Sequence, residues 1–164
     1  MKETNTFGLY EISTDSARLD RARIHRWLST DTYWALGRSR EEQDAAIDGS
    51  LNFGAYEREG GAMAAYARVV TDLATFAWLC DVYVAPGARG TGLGTALAAA
   101  VRDHLAPHGV GRVLLATRDA HGVYGKVGFT PLEDPGLWMS LDPRQPPGPA
   151  GPRGRGTPAP GTAG

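Results

Sequence analysis

The chain has 164 residues, 42% of them apolar and 21% charged, which is room for one domain with a hydrophobic core and ordinary globular chemistry. Seventeen basic against eighteen acidic side chains leave a net charge of −1, so no bulk field gathers nucleic acid or an anionic membrane, and a small-molecule partner is expected. A single cysteine excludes an internal disulfide, no run approaches the roughly 20 apolar residues of a membrane helix, and Met1-Lys2-Glu3 leads into polar sequence rather than a signal-peptide core, which predicts a cytoplasmic location.

Thr6 to Ser13 reads as a first strand, followed by Asp15 as N-cap of a helix through Trp27 with Leu19, Ile24, Trp27 and Leu28 turned inward. Ser29 to Arg38 breaks the periodicity. A polar helix from Ser39 to about Gly49 comes next, with Glu41, Glu42 and Asp44 near its favourable N-terminal end. Three strand-like runs then form a meander: Leu51 to Glu57, Ala62 to Thr71 after a Gly60-Gly61 turn, and Thr75 to Val84 after a turn at Asp72. Beyond Pro86-Gly87 a glycine-rich turn opens a helix with Leu93, Leu97, Val101 and Leu105 at helical spacing. A strand from Gly111 to Thr117, a short helix from Asp119 to about Val127 and closing strand segments around Phe129 to Leu141 complete the folded part. This order predicts an α/β sheet with both antiparallel and parallel neighbours. From Asp142 onward seven of the eleven prolines sit among Gly, Ala, Thr and Arg, which divides the chain into a folded domain, 1–141, and an expected disordered tail, 142–164.

The turn Arg89-Gly90-Thr91-Gly92-Leu93-Gly94 is built to hold an anion. Its glycines let the backbone approach a ligand, the free N–H groups of the following helix point outward with its positive dipole end, and Arg89 adds a cationic fork. A Rossmann fingerprint requires G-x-G-x-x-G or G-x-G-x-x-A after the first strand, whereas Gly90-x-Gly92-x-x-Thr95 follows roughly the fourth. A Walker loop requires a lysine that Leu93-Gly94-Thr95 lacks.

What remains is R-x-x-G-x-G after a strand ending in Val82-Tyr83-Val84, and this resembles the core motif of the GNAT acyl-CoA N-acyltransferase family. Ala120 to Phe129, a helix bearing Tyr124 and ending in Gly128-Phe129, is similar to the family's second conserved segment, so the resemblance spans about Thr6 to Leu141. It implies a mixed, mostly antiparallel twisted sheet of about six or seven strands with about four helices. It further implies acetyl-CoA as acyl donor and no metal. The diphosphate would rest on the amides of Arg89, Gly90, Thr91, Gly92, Leu93, Gly94 and Thr95, and the pantetheine arm along the backbone of Val82, Tyr83 and Val84.

Transfer to a primary amine needs a polariser for the acyl carbonyl, a proton route and an acid for the leaving thiolate. Tyr124 matches the family's general acid, a phenol of pKa about 10 facing a thiolate of comparable basicity, and the backbone N–H near Val82 is the natural polariser. Asp81, costly in an apolar strand unless paired or functional, is the expected proton acceptor, with a structural carboxylate as the equal alternative. His121 stands three residues before Tyr124 on the same helix face and is a second candidate for the proton. Asp119 stands where many relatives have asparagine; there it would touch the cofactor arm, cap the helix or hold a cationic amine. Tyr33 and Trp34, two aromatics in a polar loop, are expected to contact the acceptor. Cys80 invites a covalent acetyl-thiol route, but its apolar neighbours favour direct transfer in a ternary complex. The sequence reading is thus an acetyl-CoA-dependent N-acetyltransferase of a small-molecule amine. A protein lysine or N-terminal acetyltransferase and a non-catalytic CoA-binding sensor are the alternatives, and a homodimer is compatible with the chain.

Overall fold

The computed structural model describes residues 3–144, so all but the first three residues of the expected tail lie outside the described residues. Residues up to Thr130 form one unit and those from Pro131 a second. In the first unit, six strands lie in the order β1-β2-β3-β4-β5-β6.

The expected single strand at Thr6 to Ser13 is a hairpin. Strands β1 (Thr4–Phe7) and β2 (Tyr10–Ser13) pair antiparallel, with Phe7 opposite Tyr10 and Gly8 at φ +54° in the two-residue turn. Asp15 caps only a short 3-10 turn, Ser16–Arg18. The cap of helix α1 (Arg21–Asp31) is Asp20, whose carboxylate accepts the Arg23 N–H at 2.9 Å. Helix α2 (Arg40–Asp48) opens on a capping box: Ser39 Oγ accepts the Glu42 N–H and the Glu42 carboxylate accepts the Ser39 N–H, each at 3.1 Å.

The meander forms as expected from β3 (Leu51–Glu57), β4 (Met63–Thr71) and β5 (Ala77–Val84), all antiparallel. Asp72 fixes the second turn by accepting the N–H groups of Ala74 and Thr75 at 2.9 and 2.8 Å. Helix α3 (Leu93–Leu105) then crosses to β6 (Val113–Leu114), which runs parallel to β5. Strand β6 is far shorter than Gly111 to Thr117 and pairs only Val113 with Ala77 and Leu114 with Trp78, so among the described residues β5 has no strand partner on that side from Leu79 onward. Helix α4 spans His121–Gly125.

The expected closing strands do not form among the described residues. The segment from Pro131 holds one 3-10 turn, Pro135–Leu137, because Pro131 and Pro135 remove two ladder donors and Gly136 adds none of the packing a strand needs.

Apolar periodicity places the helices. Leu93, Leu97, Val101 and Leu105 of α3 are buried with Ile12, Phe53, Val69 and Leu79 on one face of the sheet. Ile24 and Leu28 of α1 and Ile47 of α2 are buried with Tyr66 and Tyr83 on the other. Each such side chain contributes about 1.5–3 kcal/mol by leaving water. Among the described residues no helix is long and apolar enough to cross a membrane.

Candidate active site

Strand β5 carries an irregularity that organises the site. Tyr66 pairs with Tyr83 and Arg68 with Cys80, so Ala67 alone stands opposite both Asp81 and Val82. Asp81 sits at φ +53°, the left-handed conformation that glycine takes as the first residue of a G1 bulge. The extra residue reverses the alternation of side chains: Leu79, Val82 and Val84 pack with α3, while Tyr83 packs with α1 and α2. It also takes a backbone amide out of the ladder with β4, beside the stretch that β6 leaves unpaired.

A cavity of about 370 Å³ lies between the diverging strands. Trp78 to Val82 of β5, the segment Leu115 to Thr117 after β6, and Ala120 and Tyr124 line it, with Tyr33 and Trp34 as a further wall. Tyr124 packs edge-on against Phe129, ring centroids 5.9 Å apart. Burial, with smaller contributions from Tyr33 and Asp119, pushes its phenol up to about 12, so the group carries its proton at neutral pH.

Ahead of α3, Gly90 and Gly92 hold φ +76° and +85°, conformations that tax any side chain, and no heavy atom lies within 4 Å of where a Gly90 Cβ would stand. No side chain caps α3. The first intrahelical bond runs from Ala96 N–H to Gly92 C=O at 3.0 Å, leaving the amides of Leu93, Gly94 and Thr95 without intrahelical acceptors. Arg89 donates its Nε–H to the Val84 carbonyl at 3.0 Å, and its guanidinium lies 5.6 Å from the Tyr83 ring centroid. Thr91 donates its hydroxyl to the Ala88 carbonyl at 2.7 Å. The Tyr83 side chain points to the other face, stacked on Trp27 at 5.0 Å and donating to Asp31 at 2.6 Å, which leaves only its backbone on the cavity strand.

Asp81 is brought to the cavity, but as a paired carboxylate. Arg38 donates to it through Nη1 at 2.7 Å and Nη2 at 3.3 Å, and Arg68 through Nε at 2.9 Å; its side chain is 1% exposed. Burial opposes ionisation, yet the Arg38 hydrogen bonds and the charges of Arg68 and Arg38 outweigh it and hold the carboxyl below its ordinary range. That is the structural alternative weighed for this residue, and it leaves Asp81 a weak proton acceptor.

His121 is exposed and does not line the cavity, so it does not join Tyr124 there. Asp119 lines the cavity but does not cap α4: Ala120 occupies that position and donates its own N–H to Thr117 Oγ1 at 3.0 Å. Tyr33 and Trp34 meet edge to face at 5.0 Å on the cavity wall, with the Arg118 guanidinium 3.8 Å over the Tyr33 ring. Cys80 also lines the cavity, and burial pushes its thiol up to about 11. Sequence reasoning missed Arg38 and Arg68. The signal for Arg68 was present, since it and Asp81 are opposite charges standing singly in apolar runs that become neighbouring strands.

The family model of the GNAT acetyltransferases matches residues 21–129. A solved structure of a candidate GNAT acetyltransferase from Xanthomonas campestris pv. campestris superposes with a TM-score of 0.77 and 44% identity, covering 84% of this chain and 95% of that one. A candidate acetyltransferase of Gibberella zeae is 31% identical over 140 residues, 74% of this chain and 78% of that protein. In fold, the chain is also similar to N-acetylglutamate synthase from Neisseria gonorrhoeae, crystallised with coenzyme A and N-acetylglutamate, at a TM-score of 0.58 and 21% identity over 76% of this chain and 29% of that chain. The matched span runs from α1 through the glycine turn to the Tyr124 helix, and the chain therefore belongs to the GNAT acetyltransferase family and is an acyltransferase.

Proposed function

We propose that the protein moves an acetyl group from acetyl-CoA to the primary amine of a small molecule by direct transfer. One observation carries the reading: Tyr124, the bulged strand at Asp81-Val82 and the aromatic pair Tyr33 and Trp34 line a single cavity where β5 parts from β6. The residues at its edge suit acetyl-CoA. The uncapped start of α3 offers amides to a diphosphate, the open space over Gly90 admits it, and the side of β5 that β6 leaves unpaired offers the backbone groups of Val82 and Tyr83 to an amide-bearing arm, the Val84 carbonyl being taken by Arg89.

The donor supplies a thioester, an acyl carbon activated toward amines. The backbone amide freed at the bulge polarises its carbonyl. Asp119, a carboxylate in the cavity wall with no ion-pair partner among the described residues, holds the incoming amine. The amine attacks as its free base: as the C–N bond forms and the C–S bond breaks, the sulfur takes a proton from Tyr124, and the proton given up by the nitrogen passes through the Asp119 carboxylate and solvent to restore the phenol, giving an N-acetyl amine and free thiol. Asp81 serves as a positioning residue, fixing Arg38 and Arg68, and the raised thiol of Cys80 favours direct transfer over an acetyl-cysteine.

Thiol release from acetyl-CoA over a panel of small amines and a lysine-containing peptide tests this, with Tyr124→Phe as control. Turnover of small amines that collapses in the variant is expected. Acetyl-CoA binding with no thiol release for any amine would sink the proposal, and faster turnover of the peptide would move it to protein acceptors.

A further inference from the structure

Resting on the acetyl-transfer reading, we propose that the acceptor is a small aminocarboxylate whose carboxylate is taken by Arg68 and Arg38 on the sheet side of the cavity, with its amine toward Tyr124 and Asp119. Charge is the first argument. Two guanidinium groups face one carboxylate, Asp81, which leaves a formal +1 on side chains only 14% and 20% exposed, and both arginines line the cavity. A cation so far withdrawn from water is expensive unless an anion meets it.

The second argument is the count of donors. Arg38 spends Nη1 on Gln43 Oε1 and Asp81 Oδ2, and one Nη2–H on Asp81 Oδ1. Arg68 spends Nε on Asp81 and Nη1 on Ser50 Oγ. A guanidinium carries five N–H donors, and among the described residues Nη2 of Arg68 and Nε of Arg38 have no acceptor. These idle donors sit on planes already fixed by Asp81, so a ligand carboxylate meets oriented N–H groups without paying the entropy of ordering a long side chain.

Valence is the third. One carboxylate neutralises the excess charge, whereas a phosphate dianion would leave net negative charge next to buried Asp81. The opposite wall carries the complementary group, because Asp119 lines it as a carboxylate with no ion-pair partner among the described residues, suited to hold an amine. Positive and negative ends within about 370 Å³ match a short zwitterion rather than a plain amine.

The test is binding by ligand-observed NMR, alongside thiol release, for the proteinogenic L-amino acids, β-alanine and 4-aminobutyrate, each beside its own carboxamide, with acetyl-CoA present. At least one acid should bind at least about tenfold more tightly than its amide, the size expected for charge-assisted bonds to a guanidinium. Arg68→Lys keeps a cation beside Asp81 but loses the fork, and should narrow that preference severalfold; wild-type acid-to-amide ratios need no variant and stand even if it fails to fold. Equal binding of acids and amides, or binding of neither, overturns the proposal. Acids and amides acetylated equally would overturn it while leaving amine acetylation intact, and acids bound selectively without thiol release would do the reverse.

Discussion

Replacing Asp81 with asparagine isolates the charge at the bulge from its backbone. Asparagine tolerates positive φ about as readily as aspartate, so the φ of +53° is preserved and only the negative charge is lost. Breaking a buried ion pair by removing one partner costs about 3–5 kcal/mol. Arg38 and Arg68 keep 20% and 14% of their side chains open toward the cavity, which places the expected loss at the lower end, about 3 kcal/mol. For a domain of this size that is a fall in Tm of about 6–12 °C. The pH dependence has a definite sign. The folded carboxyl is held below the ordinary value of about 3.9, so its contribution is fully present above about pH 4 and disappears as pH falls through the folded value. Denaturant melts of wild type and Asp81→Asn from neutral to acid pH should therefore show a gap that closes on acidification. A gap below about 1 kcal/mol at neutral pH, or one constant with pH, would refute the reasoning. Pairing Asp81→Asn with Arg68→Gln should recover part of the loss, since it removes one of the stranded cations.

Tyr124→Phe should lower kcat by about 10²- to 10⁴-fold, the usual worth of a general acid, while acetyl-CoA still binds in calorimetry. Because the phenol holds its proton up to about 12, wild-type kcat should show no loss assignable to this residue below about pH 11, and a tyrosine-dependent limb near neutrality would count against its role. Cys80→Ser should turn over at the wild-type order of magnitude, and intact mass after mixing with acetyl-CoA should show no acetyl-enzyme; a stable adduct on Cys80 would contradict direct transfer. Gly92→Ala puts a Cβ at φ +85° and 3.5 Å from Phe7 Cζ, a strain of about 1–2 kcal/mol at the start of α3. A weaker acetyl-CoA Kd by titration calorimetry is the expected result, and an unchanged one would move the diphosphate elsewhere.

The elements that sequence resolved best are those whose signals are local. Ser39 and Glu42 announce α2, the leucines of α3 declare their spacing, and Gly60-Gly61 and Asp72 punctuate the meander. Gly8 carried the hairpin signal that reading Thr6 to Ser13 as one strand passed over. Strand β6 is short because its length is set by how far β5 pairs with it, two residues here, which no residue of Gly111 to Thr117 encodes alone. The site divides along the same line. Tyr124 could be read through its segment's resemblance to the family, the glycine turn through its own residues and that resemblance, and the aromatic pair through two rings in a polar loop, and the structure places Tyr124 and the aromatic pair in one cavity. The electrostatics of Asp81 could not, because its partners lie 43 and 13 residues away and reach it only through the bulge and the loop after α1. His121 shows the converse: helical spacing to Tyr124 is satisfied, but as the first residue of α4 it stays exposed and outside the cavity lining.

The two-pair ladder between β5 and β6 also sets how the molecule breathes. Strands β3, β4 and β5 are stitched along most of their length, so their amides exchange with solvent only through large openings. Among the described residues the arm running from β6 into α4 shares ladder pairs with the sheet only at Ala77 and Trp78 and is otherwise held by side-chain packing, and it is this arm that carries Tyr124. A donor lying along the unpaired side of β5 would act as a missing thread, binding the arm to the sheet and steadying the acid before an acceptor arrives. If the donor does bind there, donor-before-acceptor order is the expected kinetic outcome, and reduced deuterium uptake in residues 113–125 on adding acetyl-CoA is where it would be seen.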